Sequence, residues 1–194
     1  MIIFKILIRL LGGFWALKAK CQNTKPGWLR NFYAHLYRMN QKTIVCGIDF
    51  RSRFHGVPNF PHGMSGVFVS QWAEVGKGCV IMQGVTIGSN TLADSKGLGA
   101  PVIGDNCYIG VNAAIIGACT VGNNVRIGAN CVVTADVPDN SVAVSNVQRI
   151  IEKENLDNRH YAYFEKWIYF DDDNKWHEET DPEILEKFAS RFAR

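Results

Sequence analysis

Stepping through the chain by sixes from Ile103 meets Ile103, Ile109, Ile115, Val121, Ile127 and Val133, all β-branched and apolar. The residue after each reads Gly104, Gly110, Ile116, Gly122, Gly128 and Thr134; four positions on come Cys107, Ala113, Cys119, Val125, Cys131 and Val137. The same template fits upstream at Val69, Val75, Ile81 and Ile87, with Gly76 and Gly88 in the second slot. A helix requires apolar residues at three- and four-residue spacing, and an antiparallel sheet requires turn signals every 8 to 12 residues or so. A six-residue period meets neither demand. It describes a solenoid, in which each hexad is one short strand and a corner, the branched side chain points inward, and equal positions stack at about the 4.8 Å strand spacing.

On these residues the chain resembles the hexapeptide-repeat acyltransferases over about residues 48–151. The resemblance implies an all-β solenoid, a left-handed parallel β-helix with three hexads per coil, flanked by an N-terminal helical segment (1–47) and a C-terminal α/aromatic appendage (152–194). That fold also serves zinc carbonic anhydrases and non-catalytic scaffolds. The anhydrases need three converging imidazoles, and no histidine occurs between Val69 and Pro138. No metal is expected, whereas a scaffold stays open as an alternative.

The period breaks twice. Between Ile87 and Ile103 stand sixteen residues' spacing where six were due, so a loop is extruded within 89–101. Thr91, Asp94, Ser95, Lys96, Gly97 and Gly99 make it polar, and a mobile loop is expected; in the family a loop at this place borders the active site. Before Val69 the register blurs around Phe60-Pro61-His62-Gly63-Met64-Ser65-Gly66-Val67. This segment resembles the catalytic stretch of serine acetyltransferases and of polysaccharide O-acetyltransferases, and His62 matches the family's catalytic histidine. A hydroxyl attacks a thioester slowly unless a base takes its proton, a service worth roughly 10² to 10⁴ in rate, and imidazole is available as a base near neutral pH. His55, Ser65 and Gln83 are the candidate acceptor contacts around it.

Two departures shape the expected acceptor. Serine acetyltransferases carry an aspartate directly before the catalytic histidine and a second histidine before the proline that ends the loop; here those places hold Pro61 and Ala100. Asp49 or a backbone carbonyl is then left to orient His62. The substitutions favour a saccharide hydroxyl as acceptor, with serine O-acetylation as the alternative. For the donor, the resemblance implies acetyl-CoA in a groove between subunits of a homotrimer, with Gly88, Ala113, Ala129, Thr134 and Arg149 at the positions that match family contacts.

Charge is uneven along the chain: 10 basic and 1 acidic residue lie in 1–53, against 8 and 13 in 139–194. A basic arm suits anionic lipid, nucleic acid or a phosphorylated cofactor; no nucleic-acid partner is expected. Residues 2–18 are apolar at helical spacing but interrupted by Lys5 and Arg9, short of the ~20 residues of a membrane span. They are read as a cap on the solenoid's open end, or as an interfacial helix at the inner membrane face of a cytoplasmic protein. The six cysteines form no C-x-x-C pair and are expected as free thiols in a reducing compartment. Near the C-terminus, Asp181-Pro182 reads as a helix start, and the aromatics before it, Trp167 and Trp176 among them, as packing residues.

Overall fold

The computed structural model describes residues 2–144, 159–170 and 175–192. The repeats build a left-handed parallel β-helix whose coils contribute one strand to each of three faces. The first face stacks β1 (Gly47–Ile48), β3 (Phe68–Val69), β6 (Thr86–Gly88), β9 (Ala114–Ile116) and β12 (Val132–Val133). The second stacks β2 (Arg53–Phe54), β4 (Glu74–Val75), β7 (Val102–Ile103) and β10 (Thr120–Val121). The third stacks β5 (Val80–Ile81), β8 (Tyr108–Ile109), β11 (Arg126–Ile127) and β13 (Val142–Ala143). Every pairing within these faces is parallel and in register, for example Val69 with Ile87 and Ile87 with Ile115.

The branched ladder lies inside: Ile48, Val69, Ile87, Ile115, Val75, Ile81, Ile109, Val121 and Ile127 are all buried, each such side chain contributing roughly 1.5–3 kcal/mol. The small slots lie inside as well, with Ala113, Cys107, Cys119 and Cys131 buried and all six cysteines free. Corners need a left-handed residue, and asparagine supplies it at Asn106, Asn112, Asn124, Asn130 and Asn140, each with φ of 54–56°; its short amide tolerates that conformation better than other non-glycine side chains.

Three helices close the first coil. The apolar stretch 2–18 is not one helix: Gly12 and Gly13, at φ 93° and 82°, divide α1 (Ile2–Leu10) from α2 (Gly13–Asn23). With α3 (Gly27–Ile44), α2 forms a hairpin over the solenoid's end, burying Phe14, Leu17, Leu36 and Tyr37. The open backbone edge is satisfied by side chains. The Lys18 ammonium, itself buried, donates to the carbonyls of Phe50 and Ser52, and Tyr37 Oη donates to Ile48 O at 3.0 Å. This is the cap; on α1, Ile6 and Leu10 stay exposed. Among the described residues no helix is long and apolar enough to cross a membrane.

Beyond the coils, β14 (His160–Phe164), β15 (Lys166–Phe170) and β16 (Trp176–Glu178) form an antiparallel sheet against α4 (Pro182–Phe192). Asp181 caps α4, its Oδ1 accepting Glu183 N–H at 2.9 Å, and Ile184, Phe188 and Phe192 are buried along one face. Trp167 stacks on Trp72 of the second coil with ring centroids 5.2 Å apart and on Phe188 at 4.2 Å, so it packs as expected.

Candidate active site

Coil arithmetic locates the site. Val69 to Ile87 and Ile115 to Val133, each one coil on the first face, span 18 residues. Ile48 to Val69 spans 21 and Ile87 to Ile115 spans 28, so the first coil carries three extra residues and the third carries ten. The three extra residues belong to the corner that holds His62. Two turns build it: Gly63 N–H donates to Phe60 O at 3.0 Å, and Val67 N–H to Met64 O at 3.0 Å. Gly66, at φ 72°, takes the left-handed position of the second turn. The corner is anchored at both ends, since Phe60 stacks on Trp15 at 6.2 Å and Gly66 N–H donates to Val45 O, the C-cap residue of α3, at 2.7 Å. His62 stands exposed on it.

The ten extra residues are held firmly, contrary to the mobile loop expected. Asn90 and Gly99 exchange both backbone bonds, at 2.8 and 2.9 Å, and Ala93 and Leu98 are buried in one cluster with Tyr161, Ile184, Phe188 and Phe192. Thr91 Oγ1 donates to Tyr161 O at 3.2 Å. Sequence pattern missed this because the loop's apolar partners lie far along the chain, from Tyr161 to Phe192, where no period relates them to it.

The candidate residues fall on the two edges of the first face. Backbone bonds from Gly84 to Ser65, Asn112 to Gln83 and Asn130 to Val111 place His62 and Ser65 on the first coil, Gln83 on the second and Ala129 on the fourth, all at one corner. On the opposite edge Gly88 pairs with Ile116, and Thr134 follows Val133, which pairs with Ile115. Ala113 lies inside the solenoid, its N–H donating to Gly110 O and its carbonyl accepting from Thr86 N–H; Ala114 is the residue facing outward at that level. Arg149 lies outside the described residues. His55 is not brought to His62. It belongs to the second face, with Nε2 2.6 Å from Glu74 Oε1, while Arg53 pairs with the other carboxylate oxygen at 2.6 Å. Asp49 does not orient His62 either, because Arg51 holds both of its oxygens at 3.0 Å.

Among the described residues, no cleft is lined by His62. A cleft of about 510 Å³ lined by Arg51, Gln71, Trp72, Tyr163, Trp167 and Phe188 lies beneath the appendage and does not contain it. The imidazole can accept a proton from a group arriving over the first face, whose outward side chains Phe68 and Val132 are exposed.

In keeping with the fold and the repeat, residues 100–135 match the family model "Bacterial transferase hexapeptide (six repeats)". The chain is similar to serine acetyltransferases. It is 38% identical over 136 residues to a serine acetyltransferase of Bacillus licheniformis, covering 64% of this chain and 62% of that one. To the Helicobacter pylori enzyme it is 39% identical over 93 residues, 48% of this chain and 53% of the other. Among solved structures, the Neisseria gonorrhoeae serine acetyltransferase in complex with serine superposes with a TM-score of 0.58 at 25% identity, covering 69% of this chain and 52% of that one. The soybean serine acetyltransferase complexed with serine gives 0.58 at 27% identity, covering 70% and 53%. The chain thus spans about half the length of the relatives it matches.

These likenesses overturn the saccharide acceptor expected from sequence, and with it a place in polysaccharide synthesis. The physical reason lies at Ala100. This residue packs in the cluster joining the loop to the appendage, so its small side chain answers to that packing rather than to the identity of an acceptor.

Proposed function

We propose that the chain transfers the acetyl group of acetyl-CoA to the hydroxyl of L-serine, with His62 as general base. The observation that carries this is the corner itself: an exposed imidazole on an extruded, doubly anchored turn at the edge of the first face. Support for the acceptor comes from relatives named serine acetyltransferase, two of them solved with serine. In the step, His62 removes the hydroxyl proton as the oxygen attacks the thioester carbonyl; the C–O bond forms, the C–S bond breaks, and the proton passes from the imidazolium to the departing CoA thiolate. Gly88, Thr134 and Ala129 flank the first face where the pantetheine arm would lie, with Arg149 for a phosphate. In a homotrimer a neighbouring chain faces His62 across the first face, and the exposed Phe68 and Val132 suit that contact.

Release of CoA thiol from acetyl-CoA, followed with and without L-serine, tests this. L-serine-stimulated release that falls by about 10²-fold or more in His62→Ala is expected. Background release from the unaltered chain, together with no CoA binding, would favour a non-catalytic scaffold instead.

A further inference from the structure

Gln83 Oε1 is, among the described residues, the one buried side-chain oxygen or nitrogen with no hydrogen-bond partner. A buried acceptor left unpaired costs roughly 1–3 kcal/mol, so a native one calls for an explanation. Its place supplies one. Two rungs tie the second coil to the first around it: Ile81 N–H donates to Asn59 O at 2.9 Å, and Gly84 N–H to Ser65 O at 3.1 Å. Between those same rungs the first coil runs through the extruded corner, with His62 at its middle. Neighbouring coils stand about 4.8 Å apart, so imidazole and amide share one corner on adjacent coils. Neither side-chain carboxylate considered for orienting the ring serves, since position 61 is proline and Asp49 is closed on Arg51.

We propose that Gln83 is the positioning residue of His62: its amide oxygen accepts the imidazole Nδ1–H, which leaves the Nε2 lone pair facing the acceptor hydroxyl. The inference rests on His62 acting as the general base. Which ring nitrogen is free in a neutral histidine is set by the bond the other makes, and a base working through Nε2 needs an acceptor at Nδ1. A neutral amide fixes that tautomer without the bias toward imidazolium that a carboxylate brings. The pair closes as the exposed ring turns back toward the solenoid, as catalytic hydrogen bonds do when they tighten only in the loaded enzyme. When Nε2 gains the serine proton, Nδ1–H keeps its bond to the amide, and Nε2 then gives the proton to the CoA sulfur.

The test is the tautomer of His62, read from long-range ¹H–¹⁵N NMR correlations of the full chain with CoA and L-serine bound. The Nδ1–H form is expected in the wild type, and a shift toward Nε2–H in Gln83→Leu. In the same variant kcat should fall roughly 10- to 100-fold, as for other ring-orienting partners, with KM for acetyl-CoA unchanged. Gln83→Glu, which keeps an acceptor in place, should retain the Nδ1–H form. A wild-type ring in the Nε2–H form, or one whose tautomer is the same in wild type and Gln83→Leu, overturns the inference. Should His62→Ala keep full activity while the tautomer responds to Gln83, the general-base assignment falls and the pairing stands.

Discussion

Cys21 and Cys119 show what the interior asks of single residues. Each fills a small buried position where a thiol behaves as an apolar group, and burial pushes both up to about 11 from the ordinary 9.0, with Asp136 adding to the effect at Cys119. The unfolded chain releases these protons near pH 9 and the folded chain keeps them, so the native state binds more protons between the two values. Their contribution is therefore complete below about pH 9 and lost as pH rises toward 11. Urea midpoints measured across that range should fall with pH, and fall less steeply in Cys119→Ala. At this scale the coils from Ile103 to Val133 were legible because the inward strand position of every hexad is β-branched. The first coil was not, since its inward positions include Phe54 and Phe60, packed against Trp15 of the helical cap, and the three extra residues displace the next hexad. His62 was found through resemblance; the orphaned oxygen of Gln83 carries no signature in sequence, being a matter of what fails to reach it.

Among the elements, α4 does more than cover its own sheet. Phe188 touches Tyr161 and Trp167 with ring centroids 5.0 and 4.2 Å away, and the same cluster holds Ala93 and Leu98 of the loop. Buried Glu179 ties the sheet to the helix start, with Oε2 accepting Tyr161 Oη at 3.0 Å and Oε1 accepting the N–H groups of Thr180 and Asp181. Phe188→Ala should remove about 3–5 kcal/mol from this unit. Hydrogen exchange would then accelerate in 89–101 and 160–169 together while the strands from Val102 to Val133 keep their protection. Faster exchange in the sheet alone would mean that the loop stands independently of it. The aromatic composition of the C-terminal region was plain from sequence, but its partner was not, because Trp72 and Leu98 belong to segments with no repeat in common with it.

In the whole molecule, each coil is supported by its neighbours, so the ends decide where the structure opens. Lys18 is the test of the helical end. Its ammonium serves two carbonyls of the first coil and lies 5.3 Å from the centroid of the Phe54 ring. Lys18→Met keeps most of the stem but takes the ammonium from the carbonyls of Phe50 and Ser52, the second of which keeps Gln22 Nε2 at 3.3 Å, a loss of roughly 1–3 kcal/mol. Exchange should rise in α2, α3 and the first coil ahead of the distal coils; uniform loss along the solenoid would show instead that the coils open as one unit.

The rungs before and after each extruded corner are in the same register as those of uninterrupted coils. A change in chain length at either place is therefore absorbed where it occurs and is invisible to the stack above and below. Natural variation can accordingly alter the reach of the histidine turn or the width of the loop one residue at a time, without touching the interior. The surplus over eighteen residues is thus a freedom of length that the stack leaves open at the histidine turn and at the loop.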